Sequence, residues 1–158
     1  MVNYISVCIK KPSVLLDVFG LDCLDLSGKT TWLMVGSIGV FTTLHILINY
    51  FLLHQFFISF HIPNYWEFTL NVVIAPVTEA LVFRGLLLSL FNKIMPFSIA
   101  SLLVSIIYGL AHYNQGWTVI LLALLFSLFG CYLRYVSKGI YAGIIVHIFY
   151  DLIASFVI

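Results

Sequence analysis

Ionisable residues stand at three places inside long apolar runs of the sequence. Glu79 is the first, His112 follows Tyr108 by four residues, and His147 precedes Asp151 by four residues. A carboxylate and two imidazoles suffice to activate water, with Glu79 as general base and one histidine holding the water. The other histidine and Asp151 would then bind or polarise a carbonyl oxygen. Glu79, His112 and His147 could instead ligate a divalent metal such as zinc, because two histidines and a glutamate with an open position form a catalytic zinc set.

The composition indicates that these residues lie in a membrane. The chain has 158 residues, of which 63% are hydrophobic and 8% charged, and its mean hydropathy is +1.14. Soluble proteins are about 45–50% apolar and about 25% charged. A charged side chain at the centre of a bilayer costs at least about 2.5–3.5 kcal/mol, so Glu79 and its companions should face a protein interior.

The apolar runs predict an all-α polytopic membrane protein with about five transmembrane helices bundled around a polar cavity. Each run meets or approaches the roughly 17–25 residues that a transmembrane helix needs. Residues 1–30 are too charged to span and are predicted to form an N-terminal interfacial segment, and residues 31–158 the transmembrane domain. The predicted spans are residues 31–57, 68–90, 97–111, 118–135 and 140–158.

The basic residues predict the orientation. The loops at 60–66 and 112–117 contain no lysine or arginine, whereas the N-terminal segment and the other two loops do. By the positive-inside rule, the N-terminus lies in the cytoplasm and the C-terminus outside. The basic residues concerned are Lys10, Lys11, Lys29, Lys93, Arg134 and Lys138.

This orientation raises a difficulty of depth. His112 lies about 15 residues from the cytoplasmic start of its span and His147 only about 7, a difference of about 12 Å at 1.5 Å per residue. Helix tilt, a late start to the third span or a water-filled cavity could absorb the difference.

The other polar residues receive structural roles. Cys8, Cys23 and Cys131 are odd in number and widely spaced, and they predict neither a disulfide framework nor a thiolate metal site. His45 and His54 precede the glutamate motif and are predicted to serve packing or interhelical hydrogen bonding.

Three motifs follow one another on successive membrane segments. They are A-P-x-x-E-A-x-x-F-R-G at 75–85, Y-x-x-x-H at 108–112 and H-x-x-x-D at 147–151. In this order they resemble the CPBP family of intramembrane proteases, whose motifs read E-E-x-x-x-R, F-x-x-x-H and H-x-x-x-N/D. That family includes the CAAX prenyl endopeptidase and bacteriocin-immunity-type (Abi) proteins of bacteria. The resemblance covers about residues 68–155.

The resemblance implies roles for individual residues. The water-activating pair of the family falls on Glu79 and His112, and the pair that helps to hold the oxyanion falls on His147 and Asp151. Arg84 matches the arginine of the first motif and joins the predicted catalytic set.

The chain departs from the family pattern at two positions. Ala80 stands where the second glutamate is expected, four residues before Arg84, which is the spacing of a glutamate–arginine pair on a helix. Arg84 therefore needs another anion, and Glu79 or Asp151 is the candidate. Tyr108 replaces the phenylalanine and adds a hydroxyl that needs a partner.

The function that these observations predict is an intramembrane endopeptidase that hydrolyses a prenylated CAAX or other membrane-associated peptide. Its partners would be the lipid bilayer and the peptide substrate, and the net charge of +1 gives no reason to expect nucleic acid. The bacterial cell membrane is the expected location. The alternative is a catalytically impaired family member that acts by binding, in bacteriocin self-immunity or as a membrane scaffold. A haem protein with two histidine ligands is a third possibility, but it leaves Glu79 and Arg84 unexplained.

Overall fold

The computed structural model describes residues 5–8, 14–21, 23–51 and 64–156. Within these ranges the chain forms helices joined by short loops, together with a pair of short strands. The strands are β1 (Ile5–Cys8) and β2 (Cys23–Leu26). The helices are α1 (Val14–Phe19), α2 (Gly28–Phe51), α3 (Tyr65–Asn92), α4 (Phe97–Ala111), α5 (Trp117–Ser137) and α6 (Tyr141–Ala154).

The prediction of an all-α membrane protein is confirmed. Three of the described helices are long and apolar enough to cross a membrane: Gly28–Ile48, Tyr65–Asn92 and Trp117–Ser137. The apolar helices α4 and α6 are shorter, with 15 and 14 residues. Residues 52–57 of the predicted first span and 157–158 of the last lie outside the described residues.

Helix α3 carries two π-helical segments, Thr69–Ile74 and Ala80–Leu87, on either side of an α-helical turn at Ala75–Glu79. Pro76 has no backbone N–H, and its ring clashes with the carbonyl four residues earlier, so a regular helix cannot run through it. The wider π turn accommodates this defect. Glu79 therefore stands at the junction between the α-helical turn and the second π segment.

The membrane helices pack into two apolar clusters that share α5. One cluster joins α2, α5 and α6 and includes Phe41, Phe126 and Val146. The other joins α3, α4 and α5 through Leu88 and Val104. Helices α4 and α5 cross closely at Gly109, where a Cβ atom would lie 2.9 Å from the Ile120 carbonyl oxygen. Small residues at such crossings let membrane helices approach one another.

The N-terminal segment is joined by a disulfide, and the cysteine prediction is therefore wrong. Strands β1 and β2 pair antiparallel and place Cys8 opposite Cys23, and the two sulfurs are bonded. Cys131 is buried and not in a disulfide. The pairing depends on strands that the sequence pattern of residues 1–30 did not indicate.

Candidate active site

A cavity of about 450 Å³ lies among α2, α3, α4, α5 and α6. Four of the five predicted site residues line it: Glu79, His112, His147 and Asp151. Helix α3 supplies the first, the end of α4 the second, and α6 the last two. The structure thus brings these residues together, although they are spread over more than 70 residues of sequence.

The carboxylate of Glu79 contacts groups from two other helices. The Tyr108 hydroxyl donates a hydrogen bond of 2.7 Å to Oε2 of Glu79. The same oxygen lies 3.8 Å from Nε2 of His147. The hydroxyl that distinguishes Tyr108 from the phenylalanine of the family pattern therefore finds its partner in Glu79.

His147 lies between two carboxylates. Its Nε2 atom is 3.4 Å from Oδ2 of Asp151, one turn further along α6, as well as 3.8 Å from Glu79. The residue is 5% exposed, and its Nδ1 atom has no hydrogen-bond partner within the described residues. A proton on Nε2 would thus be directed toward the polar centre of the cavity.

His112 caps the C-terminal end of α4. Its Nδ1 atom lies 2.8 Å from the carbonyl oxygen of Tyr108. A carbonyl oxygen only accepts, so Nδ1 carries the proton and Nε2 keeps its lone pair when the ring is neutral. The imidazole is therefore oriented to accept a proton or a hydrogen bond through Nε2.

Arg84 lies outside the cavity lining, and the predicted ion pair with Glu79 or Asp151 is not formed. Its side chain is 2% exposed, and its three guanidinium nitrogens have no hydrogen-bond partner among the residues that the structure describes. The guanidinium instead packs on two aromatic rings, 5.9 Å from the centre of Tyr108 and 5.5 Å from that of Phe126. Tyr108 thus separates Arg84 from Glu79.

Two further residues of the cavity were not predicted as site residues. Nδ1 of His45 and the Tyr150 hydroxyl are 3.0 Å apart and link α2 to α6. The contact is the interhelical hydrogen bond expected for His45, but both side chains also line the cavity. The spacing of three residues between His147 and Tyr150 places both on one helix face and could have indicated Tyr150.

The residues do not form a metal-ligand set as they stand. In the described ranges, no three side chains of histidine, cysteine, aspartate or glutamate converge as ligands. The Tyr108 hydroxyl already bonds to Glu79 Oε2, and Nδ1 of His112 faces a carbonyl oxygen. We therefore derive no catalytic step through a metal.

Comparison with known proteins identifies the family. A family model described as type II CAAX prenyl endopeptidase Rce1-like matches residues 61–153. No curated protein and no solved structure matches the chain significantly. The matched region is more than half of the chain and contains all three motifs, so the predicted CPBP membership is confirmed. The chain belongs to the Rce1-like family of type II CAAX prenyl endopeptidases.

Proposed function

We propose that the protein is an intramembrane endopeptidase that uses a water molecule activated by Glu79. Membership of a protease family supports the reaction class. The observation that carries the proposal is that Glu79 lines one cavity together with two histidines from two other helices. Such a set has the chemical groups that peptide hydrolysis requires.

In the proposed mechanism, the lone pair on Nε2 of His112 accepts a hydrogen bond from the water and orients it. Glu79 takes a proton from this water as the water oxygen attacks the carbonyl carbon of the peptide. His147 donates its single Nε2 proton to the oxyanion that develops, and exchanges its contact with Asp151 for this one. Glu79 then returns its proton to the leaving amine as the carbon–nitrogen bond breaks.

The substrate we propose is a membrane-associated peptide, with a prenylated CAAX peptide as the first to be tested. Apolar side chains also line the cavity, among them Val72, Val119 and Leu122. Apolar lining beside polar groups suits a substrate that carries a lipid or an apolar side chain next to the cleaved bond.

The test is cleavage of a farnesylated CAAX peptide by the purified protein in detergent. Glu79→Gln should abolish cleavage, because the amide cannot take the proton from water. Glu67→Gln is the matched control, since Glu67 is exposed near the start of the same helix, and it should keep the wild-type rate. Equal cleavage by wild type and Glu79→Gln would contradict the mechanism.

The same variant tests the alternative of function by binding alone. In that case Glu79→Gln should leave an immunity or scaffolding phenotype intact in cells that produce the protein at wild-type levels. Loss of the phenotype in Glu79→Gln, but not in Glu67→Gln, would favour catalysis.

A further inference from the structure

The second π segment of α3, Ala80–Leu87, determines which way Glu79 points. A π-helix forms its hydrogen bonds over five residues where an α-helix forms them over four, so its turn contains about one residue more. Each α-helical residue turns the chain by about 100°. Glu79 directly precedes the segment, so its direction differs by about 100° from the one that a regular helix would give it.

A regular helix would turn Glu79 out of the cavity. The far end of the segment is fixed, because Leu88 is 1% exposed and packs with Val104 of α4. With this end held, an α-helical segment would move each earlier residue to the direction that its predecessor has now. Glu79 would take the direction of Thr78, which is exposed, and the buried Ala80 would take the direction of Glu79. The extra residue of the π segment therefore keeps the carboxylate away from lipid.

Arg134 of α5 binds the last turn of this segment. Its Nη1 atom donates to the Gly85 carbonyl oxygen at 3.0 Å, an oxygen that also accepts from the Leu88 N–H within the helix. Its Nη2 atom donates to the Ser89 hydroxyl at 2.8 Å. Where the bonding pattern of a membrane helix changes, the backbone needs partners from neighbouring helices. Arg134 supplies such a partner at the point where α3 returns from π-helix to α-helix.

The end of α1 closes over this contact. The Val18 carbonyl oxygen accepts from the Ser89 hydroxyl at 2.6 Å and from Nη2 of Arg134 at 3.4 Å. Gly20 lies against the guanidinium with a φ of +66°, and a Cβ atom there would be 3.1 Å from Nε. A side chain at position 20 would therefore be strained and would press on the guanidinium. The guanidinium is thus fixed between α1 and α3.

We propose that Arg134 is a positioning residue for the cleavage reaction, because it holds the second π segment and so keeps Glu79 turned into the cavity. The inference rests on the proposed function for the reaction that Glu79 serves. The direction of Glu79 itself depends only on the packing of α3. Arg134 lies outside the cavity lining and acts through the helix.

The rotation of α3 can be measured without measuring activity. Ala75→Cys places a thiol on the cavity wall, and Ala80→Cys places one at a position that is fully buried. Each is made in a Cys131→Ala background, purified in detergent and treated with a small, charged methanethiosulfonate reagent. The same background without an added cysteine is the blank and measures any reaction at Cys8 and Cys23.

With Arg134 present, we expect the thiol at position 75 to react faster than the thiol at position 80. In Arg134→Met this order should reverse, because position 80 then takes the direction of Glu79. Arg134→Lys keeps a donor and should restore the order. Ser89→Ala is the matched control, since it removes a hydroxyl from the same contact and leaves the bond to Gly85, and it should keep the wild-type order. If Arg134→Met does not accumulate in the membrane, Arg134→Leu replaces it.

Cleavage of the farnesylated peptide is measured for the same Arg134 and Ser89 variants without added cysteines. In Arg134→Met, kcat should fall about 100-fold with KM unchanged, which is within the usual contribution of a general base. Arg134→Lys should recover most of this loss, and Ser89→Ala should keep the wild-type kcat.

Three outcomes would overturn the inference. They are an unchanged order of reactivity in Arg134→Met, a wild-type kcat despite a reversed order, and an equal reversal in Ser89→Ala. A reversed order in Arg134→Met alone, together with no cleavage by the wild-type protein, would refute the proposed function and leave the role of Arg134 in the direction of Glu79 intact.

Discussion

Tyr108 is the residue through which three parts of the site meet. Its hydroxyl donates to Glu79, its carbonyl oxygen accepts from His112, and its ring covers Arg84. Tyr108→Phe removes only the hydroxyl and frees the Glu79 carboxylate to rotate. Because a hydrogen bond to a charged group contributes about 1.5–3 kcal/mol, we expect kcat to fall about tenfold or more with KM unchanged.

Steady-state cleavage of the farnesylated peptide checks this value. Tyr113→Phe is the matched control, because Tyr113 is exposed in the adjoining loop. A kcat equal to or above that of the wild type in Tyr108→Phe would show that the hydroxyl does not position Glu79.

Ala80 leaves Arg84 without a nearby anion. The two side chains are buried about one turn apart in the same π-helical segment, so Ala80→Glu would put a carboxylate within reach of the guanidinium. Ala80→Gln has almost the same volume and lacks the charge. An unpaired buried charge costs about 3–5 kcal/mol, so we expect the Glu variant to unfold at least about 4 °C above the Gln variant.

Thermal unfolding in detergent measures this difference. Equal midpoints for the two variants would show that Arg84 needs no anion. Since Arg84 forms no ion pair with Glu79 in the described structure, the effect of Ala80→Glu should fall on stability.

At the scale of elements, the crossing of α5 and α6 is fitted to the Arg84 side chain. A Cβ atom at Gly130 of α5 would overlap Nε and lie 2.6 Å from Cζ, whereas one at Gly143 of α6 would lie 3.6 Å from Cδ. Gly130→Ala should therefore lower the free energy of unfolding by about 1–3 kcal/mol. Gly143→Ala should change it by less than about 0.5 kcal/mol. Unfolding in detergent measures both variants. A comparable loss of unfolding free energy in Gly130→Ala and Gly143→Ala would contradict this packing.

The helices and most of the site could be predicted from the sequence because both follow from local rules. Apolar runs of sufficient length mark helices, and charged groups such as Glu79 and His147 must avoid lipid, so their convergence follows. The orientation of Arg84 could not be predicted, because the four-residue spacing assumes a regular α-helix. Between Ala80 and Leu87 the helix is π-helical, and its wider turn changes the direction in which each side chain points.

At the scale of the whole molecule, the N-terminal segment explains how His112 and His147 reach one cavity. Their distances from the starts of α4 and α6 differ, as the sequence indicated. The start of α6 is buried under Gly20 and Leu21, which accept hydrogen bonds from the Ile140 N–H and the Tyr141 hydroxyl. Helix α6 therefore begins inside the protein, and the N-terminal segment takes the place of its missing first turns.

The Cys8–Cys23 bond provides a test of which way the whole molecule faces. The positive-inside rule predicts that this segment lies in the cytoplasm, where glutathione and thioredoxin keep most thiols reduced. We therefore expect both thiols to be free in cells and the disulfide to form when the protein is purified in air. Cells are quenched rapidly with acid, and their thiols are then alkylated with a maleimide of high mass. The apparent mass of the protein should rise by two labels, one at Cys8 and one at Cys23. Cys8→Ser with Cys23→Ser is the control for labelling at Cys131. If the bond is already present in quenched cells, the N-terminal segment faces an oxidising compartment and the orientation given by the positive-inside rule is wrong.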